Sequence, residues 1–178
     1  RTNMWYAALH TGQSPNNMTD LKAIWAALRE QRGLMKKYWS SGAELMSLLA
    51  NGEIYATVAW SGRVAALQQE GNPIGYLSPK GTYSWMEYLF VLKGTDLEVA
   101  QKLLNFMLEP SAAIAVAEGQ NYPPSLDPSK VKLTEKIMKM PAFDPTGKLD
   151  GYLFANPSYW NANQLEWTEK WDRIKAGS

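Results

Sequence analysis

Two short stretches carry side chains that could do chemistry on a small molecule. In Trp85-Met86-Glu87 a carboxylate stands two residues from an indole, and the run continues Tyr88-Leu89-Phe90-Val91-Leu92. With a period of two, Trp85, Glu87, Leu89 and Val91 share one face of a strand. A carboxylate on an apolar face must find a partner or a cation, and an aromatic face beside it completes a receptor for an ammonium group. The plainer reading leaves Glu87 at a strand end, paired with a surface Lys or Arg. The second stretch is Trp60-Ser61-Gly62-Arg63. There a strand ends on an indole, a helix begins with free backbone N–H groups, and a guanidinium adds a bidentate fork. That corner suits a carboxylate. It also lies beyond the carboxyl end of a strand, where ligands of open α/β sheets bind. The plainer reading makes Trp60 core and Arg63 a solvated helix residue. Both pairs of readings stay open on the residues alone.

What is missing narrows the chemistry. The 178 residues include no Cys, which excludes thiol catalysis, disulfides and Cys-ligated metals. His10 is the single histidine, so a His-dependent triad or metal site would rest on it alone. No phosphate-cradling glycine loop, nucleophile elbow or zincin pattern occurs. Asp144 and Asp150 lack the spacing of a calcium loop. Eighteen Lys+Arg against seventeen Asp+Glu leave a net charge of +1, which gives no basis for nucleic acid as a partner. The apolar runs are too short to span a bilayer. Eight Trp, nine Tyr and four Phe are more aromatic surface than a core of this size needs, and such an excess commonly lines a cleft.

The elements that must position these residues alternate between helix and short strand, which predicts an α/β architecture. Thr19 or Asp20 caps a helix over 21–32 that Gly33 stops, and Ser41-Gly42-Ala43-Glu44 opens another, to Ala50. Strands are expected over 54–60, 74–77 and 85–92, with a helix from Ser61 to about Gln69. Thr95-Asp96-Leu97-Glu98 opens an amphipathic helix to Leu108, followed by a helix over 111–118. Asp127-Pro128 is expected to cap a lysine-rich helix to about Met140, whose lysines form a solvated face. A last helix is expected over 161–175. The chain opens Arg1-Thr2-Asn3 without an initiating Met, and an N-terminal portion is expected to be missing.

In order along the chain, Ile54-Tyr55-Ala56-Thr57-Val58-Ala59-Trp60-Ser61-Gly62, Gly71-Asn72-Pro73-Ile74, Tyr83-Ser84-Trp85-Met86-Glu87 and Lys102-Leu103-Leu104-Asn105-Phe106-Met107-Leu108-Glu109-Pro110 resemble the solute-binding proteins of bacterial ABC importers. Gly119-Gln120-Asn121-Tyr122-Pro123 and Trp171-Asp172-Arg173-Ile174-Lys175-Ala176-Gly177 extend the resemblance over nearly the whole chain, within the spermidine/putrescine branch. The resemblance implies a bilobal periplasmic binding protein fold (type II), of which this chain is the C-terminal part. It implies residues 1–82 in the second lobe, 83–150 in the returning part of the first lobe, and 151–178 as a cleft loop and final helix. It implies a periplasmic location, no cofactor, no catalysis, and two protein partners: the missing N-terminal segment and a membrane permease.

Carried over residue by residue, the resemblance makes Trp60 and Trp85 ring walls for the solute and Glu87 the carboxylate for its ammonium; Asn156 corresponds loosely to a polar contact. Polyamine binders carry Asp where this chain has Glu87, and a small or neutral residue where it has Arg63. A cation beside a polycation weakens binding by like-charge repulsion. An acid and a base in one cleft instead describe a zwitterion with separated charges. The expected solute is therefore an ω-amino acid such as 4-aminobutyrate, its ammonium toward Glu87 and its carboxylate toward Arg63. A polyamine receptor is the alternative. An enzyme on the same scaffold, limited to Glu87, the tyrosines or His10 for chemistry, is a remote one.

Overall fold

A computed structural model describes residues 1–79, 81–148 and 152–177. In chain order the elements are α1 (Thr2–His10), α2 (Leu21–Leu34), α3 (Gly42–Ala50), α4 (Ser61–Gln69), β1 (Tyr83–Ser84), α5 (Leu97–Leu108), α6 (Pro110–Gln120), α7 (Glu135–Met138), β2 (Leu153–Phe154) and α8 (Pro157–Ala176). They fall into two compact units. The first comprises Arg1–Tyr38, Lys80–Met86 and Gly151–Ser178; the second, Trp39–Pro79 and Glu87–Asp150.

The first unit is built on tryptophan. Trp5 of α1 and Trp160 of α8 are essentially buried and stack at 6.1 Å, and Trp167 meets Trp160 edge-on at 5.4 Å. Met4, Ala8, Ile24 and Leu28 fill the space around them. Helical spacing in α2 brings Ile24, Trp25 and Leu28 inward, and Asp20 caps that helix by accepting from the Ala23 N–H. The buried indoles need polar partners. Trp5 Nε1 donates to the Gly81 carbonyl at 3.0 Å, and Trp160 Nε1 donates to Asn16 Oδ1 at 3.1 Å. That Asn16 oxygen also accepts from the Asn156 N–H at 2.8 Å, while Asn16 Nδ2 donates to the Phe154 carbonyl at 2.8 Å. One asparagine thus ties the loop after α1 to β2 and to the start of α8. The sheet here is a parallel pair of two-residue strands, Tyr83 opposite Leu153 and Ser84 opposite Phe154.

The second unit holds α3 to α7. Leu45 and Leu48 of α3 and Val64, Ala65 and Leu67 of α4 are buried. Ala117, Leu133, Ile137 and Met140 form a separate small cluster around α6 and α7. Ser41 caps α3 with its side chain, as its box predicts, while α5 is capped by Asp96, one residue after the Thr95 that opens the expected box.

Three expectations are corrected. Residues 54–60, 74–77 and 85–92 form no strands; β1 covers only Tyr83–Ser84. A strand exists by pairing, and the described residues supply these segments with no neighbouring strand. Tyr55 is accordingly fully exposed. The lysine-rich helix shrinks to the four residues of α7, because Asp127 Oδ1 accepts from both the backbone N–H and the hydroxyl of Ser129 and closes a local turn instead. The last helix begins four residues earlier than expected, at Pro157, since Asn156 is its cap. A first helix, α1, was not foreseen. Asp150 and Gly151, where an expected boundary fell, lie outside the described residues.

Candidate functional site

Helix α4 starts without a side-chain cap. Trp60 stands at the N-cap and, being an indole, supplies no side-chain acceptor for the first-turn N–H groups. Its ring meets Trp39 edge-on at 5.1 Å and is itself about one-third exposed, at 37%. Trp39 Nε1 donates to Thr57 Oγ1 at 3.2 Å, which fixes that ring in turn. Gly42, the first residue of α3, lets that helix approach: a Cβ there would stand 3.0 Å from Arg63 Nε and 3.1 Å from the Trp60 ring. Trp60 and Arg63 are thus gathered at one corner by the absence of a side chain on Gly42.

Tyr122 closes the other side. Its ring lies so near Gly62 that a Cβ there would stand 2.5 Å from it. Asn121, in the left-handed conformation at φ 60°, ends α6 and turns the chain so that Tyr122 arrives there. Gln69 Nε2 at the end of α4 donates to Asn121 Oδ1 at 2.9 Å and ties the two helices together. Burial pushes the Tyr122 phenol above its ordinary pKa of 10.0. The Arg63 guanidinium works against that rise, the Glu87 carboxylate adds to it, and a hydrogen bond with the Gly62 backbone works against it again. Arg63 and Glu87 therefore both act electrostatically on one neutral hydroxyl, from within one unit.

The other two candidates belong to the first unit. Trp85 follows β1 directly and is 41% exposed. Asn156 accepts from the Tyr159 N–H through its side chain and so caps α8, while its own N–H is held by Asn16. Among the described residues no group of three His, Cys, Asp or Glu could hold a metal ion.

A family model described as bacterial extracellular solute-binding protein matches residues 2–145. The chain belongs to that family. The spermidine/putrescine-binding periplasmic protein of Escherichia coli (strain K12) is 32% identical over 168 residues, 90% of this chain and 47% of that protein. The gamma-aminobutyric acid-binding protein of Pseudomonas aeruginosa is 27% identical over 125 residues, 70% of this chain and 35% of that protein. The solved Atu4243-GABA receptor superposes on 97% of this chain with a TM-score of 0.69 at 22% identity, over 53% of its own length. That likeness gives the fold: the α/β fold of a periplasmic binding protein, present here in part.

The chain spans about half the length of the Escherichia coli relative. These relatives are binding proteins, not enzymes. Among the described residues no helix is long and apolar enough to cross a membrane. The residue-by-residue reading singled out Trp60, Arg63, Trp85, Glu87 and Asn156 but passed over Tyr122 and Trp39. Tyr122 enters that reading only inside the run Gly119-Gln120-Asn121-Tyr122-Pro123. The signal was the preceding Asn121, a residue that tolerates the left-handed turn and so ends a helix with a change of direction.

Proposed function

We propose that this chain is the C-terminal part of a periplasmic receptor that captures an ω-amino acid such as 4-aminobutyrate and delivers it to the permease of an ABC importer. What supports the reading is the corner where Gly42 lets Trp60 and Arg63 approach α3 and Tyr122 rests on Gly62, with the Arg63 guanidinium and the Glu87 carboxylate both acting on the Tyr122 hydroxyl. The Arg63 fork takes the carboxylate, Glu87 takes the ammonium, and Trp60 supplies a ring wall. Tyr122 stays protonated at neutral pH and can donate to a ligand oxygen. Trp85 and Asn156 are further ligand contacts of the whole protein. Capture proceeds by lobe closure, with the closed form selected by the ligand.

The second reading, a putrescine or spermidine receptor, is favoured by the 32% identity to a polyamine-binding relative over 90% of this chain. It requires Arg63 to stand away from the ligand, since a guanidinium near a diammonium repels it. Calorimetric titration of the complete protein with both solutes separates the readings: the first requires Arg63 for affinity, and the second does not.

A further inference from the structure

Trp60 is fixed through its backbone but not through its indole N–H. Its carbonyl accepts from the Arg63 N–H at 3.0 Å and from the Val64 N–H at 3.2 Å, which seats the residue at the start of α4. Its Nε1 has no hydrogen-bond partner among the described residues, and the ring is partly open to water. Such a ring keeps one orientation only where its neighbours exclude the other rotamers. Two neighbours do so here. A Cβ at Gly42 would stand 3.1 Å from Cζ3 of the ring and 3.5 Å from Cε3, so the start of α3 bounds it closely. Trp39 meets it edge-on, at 5.1 Å and 83°, and is its one aromatic neighbour among the described residues.

Trp39 is itself anchored twice. Its Nε1 donates to Thr57 Oγ1 at 3.2 Å, and the Thr57 hydroxyl donates onward to the Val58 carbonyl at 3.2 Å, so that hydroxyl both accepts and donates. The backbone that follows Trp39 is pinned as well. The Ser40 N–H and hydroxyl donate to Glu44 Oε2 at 2.7 and 3.0 Å, and the Glu44 N–H donates to Ser41 Oγ at 3.2 Å. The box that opens α3 thus holds Trp39 from one end, and the segment leading to Trp60 holds its ring from the other. The geometry points to Trp39 as a positioning residue for solute capture, acting through Trp60 by holding that ring in the orientation in which it walls the solute. The assignment deepens the reading of Trp60 as a ring wall and rests on it. A wall ordered before the solute arrives spares the cost of ordering it on binding, and for one side chain that saving corresponds to about 2- to 10-fold in affinity.

Thr57→Val removes the acceptor at nearly constant shape, and Trp39→Phe keeps an edge-on ring without the donor. Both are made in the complete protein, with and without Trp60→Ala, and titrated calorimetrically with 4-aminobutyrate and with putrescine. Incorporated 5-fluorotryptophan reports the Trp60 ring by fluorine NMR with no solute present, its resonance identified by its loss in Trp60→Phe. The assignment requires both substitutions to shift or broaden that resonance, to weaken capture about 2- to 10-fold, and to have no further effect once Trp60 is alanine. A merely structural role would lower the denaturant midpoint and leave resonance and affinity unchanged, which would overturn the assignment. So would a loss undiminished beside Trp60→Ala, since Trp39 would then act on the solute directly. Capture of putrescine in place of 4-aminobutyrate, with the same dependence on Trp39, would overturn the ω-amino-acid reading and leave the positioning role standing. Capture of 4-aminobutyrate indifferent to Trp39 would do the reverse, and capture of neither would overturn both.

Discussion

The ring of Tyr122 rests on Gly62: a Cβ at that glycine would stand 2.5 Å from the ring carbons. Gly62 lies inside α4, where alanine is favoured over glycine by about 1 kcal/mol. Steric overlap at this distance outweighs that gain. Gly62→Ala is therefore expected to lower the stability of the protein by about 1–3 kcal/mol, the range for overpacking a close contact. Denaturant unfolding checks it. A more stable variant would mean that the ring does not rest there.

Tyr122 also predicts a pH dependence. Burial, the largest influence, raises its pKa above 10.0 in the folded protein. The folded state holds the phenolic proton more tightly than the unfolded chain does. The resulting stabilisation is present in full below pH 10 and is lost as pH rises through the folded pKa. Burial raises Tyr38 as well, so ultraviolet titration should show late phenolates, one fewer in Tyr122→Phe than in the unaltered protein. Titration of the two proteins with no such difference would contradict the environment described for Tyr122.

Asn16 and Asn156 give a graded pair of variants at the start of α8. Asn156→Ala removes a helix cap and is expected to cost about 1 kcal/mol. Asn16→Ala removes a side chain that serves Trp160 Nε1, the Asn156 N–H and the Phe154 carbonyl together. Trp160 is buried, so its indole N–H would lose its partner away from water. A cost of about 2–3 kcal/mol follows. Asn156→Ser keeps a cap acceptor and should restore most of the smaller loss. Equal costs for Asn16→Ala and Asn156→Ala would contradict the central role given to Asn16.

What could be read from the sequence and what could not divide along physical lines. Ser41 was legible as a cap, and Asp20 as one of two candidates, because a cap is a local bond, from a side chain to an N–H three residues on; the box over 95–98 names Thr95, whereas Asp96 caps α5. The strands over 54–60 and 74–77 were not, because alternation states a preference and only a neighbour makes a ladder. The turn at Asp127 shows a local hydrogen bond overriding a helical pattern. At the α4 corner, Arg63 stands out in the sequence as a departure from the polyamine pattern that the resemblance implies. Tyr122 does not, since its role depends on Gly62 and Gly42 being small enough to let rings and helices approach, contacts that no spacing along the chain announces.

The central claim is that Arg63 holds the carboxylate of a zwitterionic solute. Its most direct test is calorimetric titration of the complete protein and its Arg63→Ala variant with 4-aminobutyrate and with putrescine. The account predicts that 4-aminobutyrate binds the unaltered protein tightly. It predicts that the variant weakens this by about 10- to 100-fold, the range for a charged hydrogen-bonded pair, with putrescine not weakened. Tight putrescine binding with no effect of the substitution on either solute would contradict it.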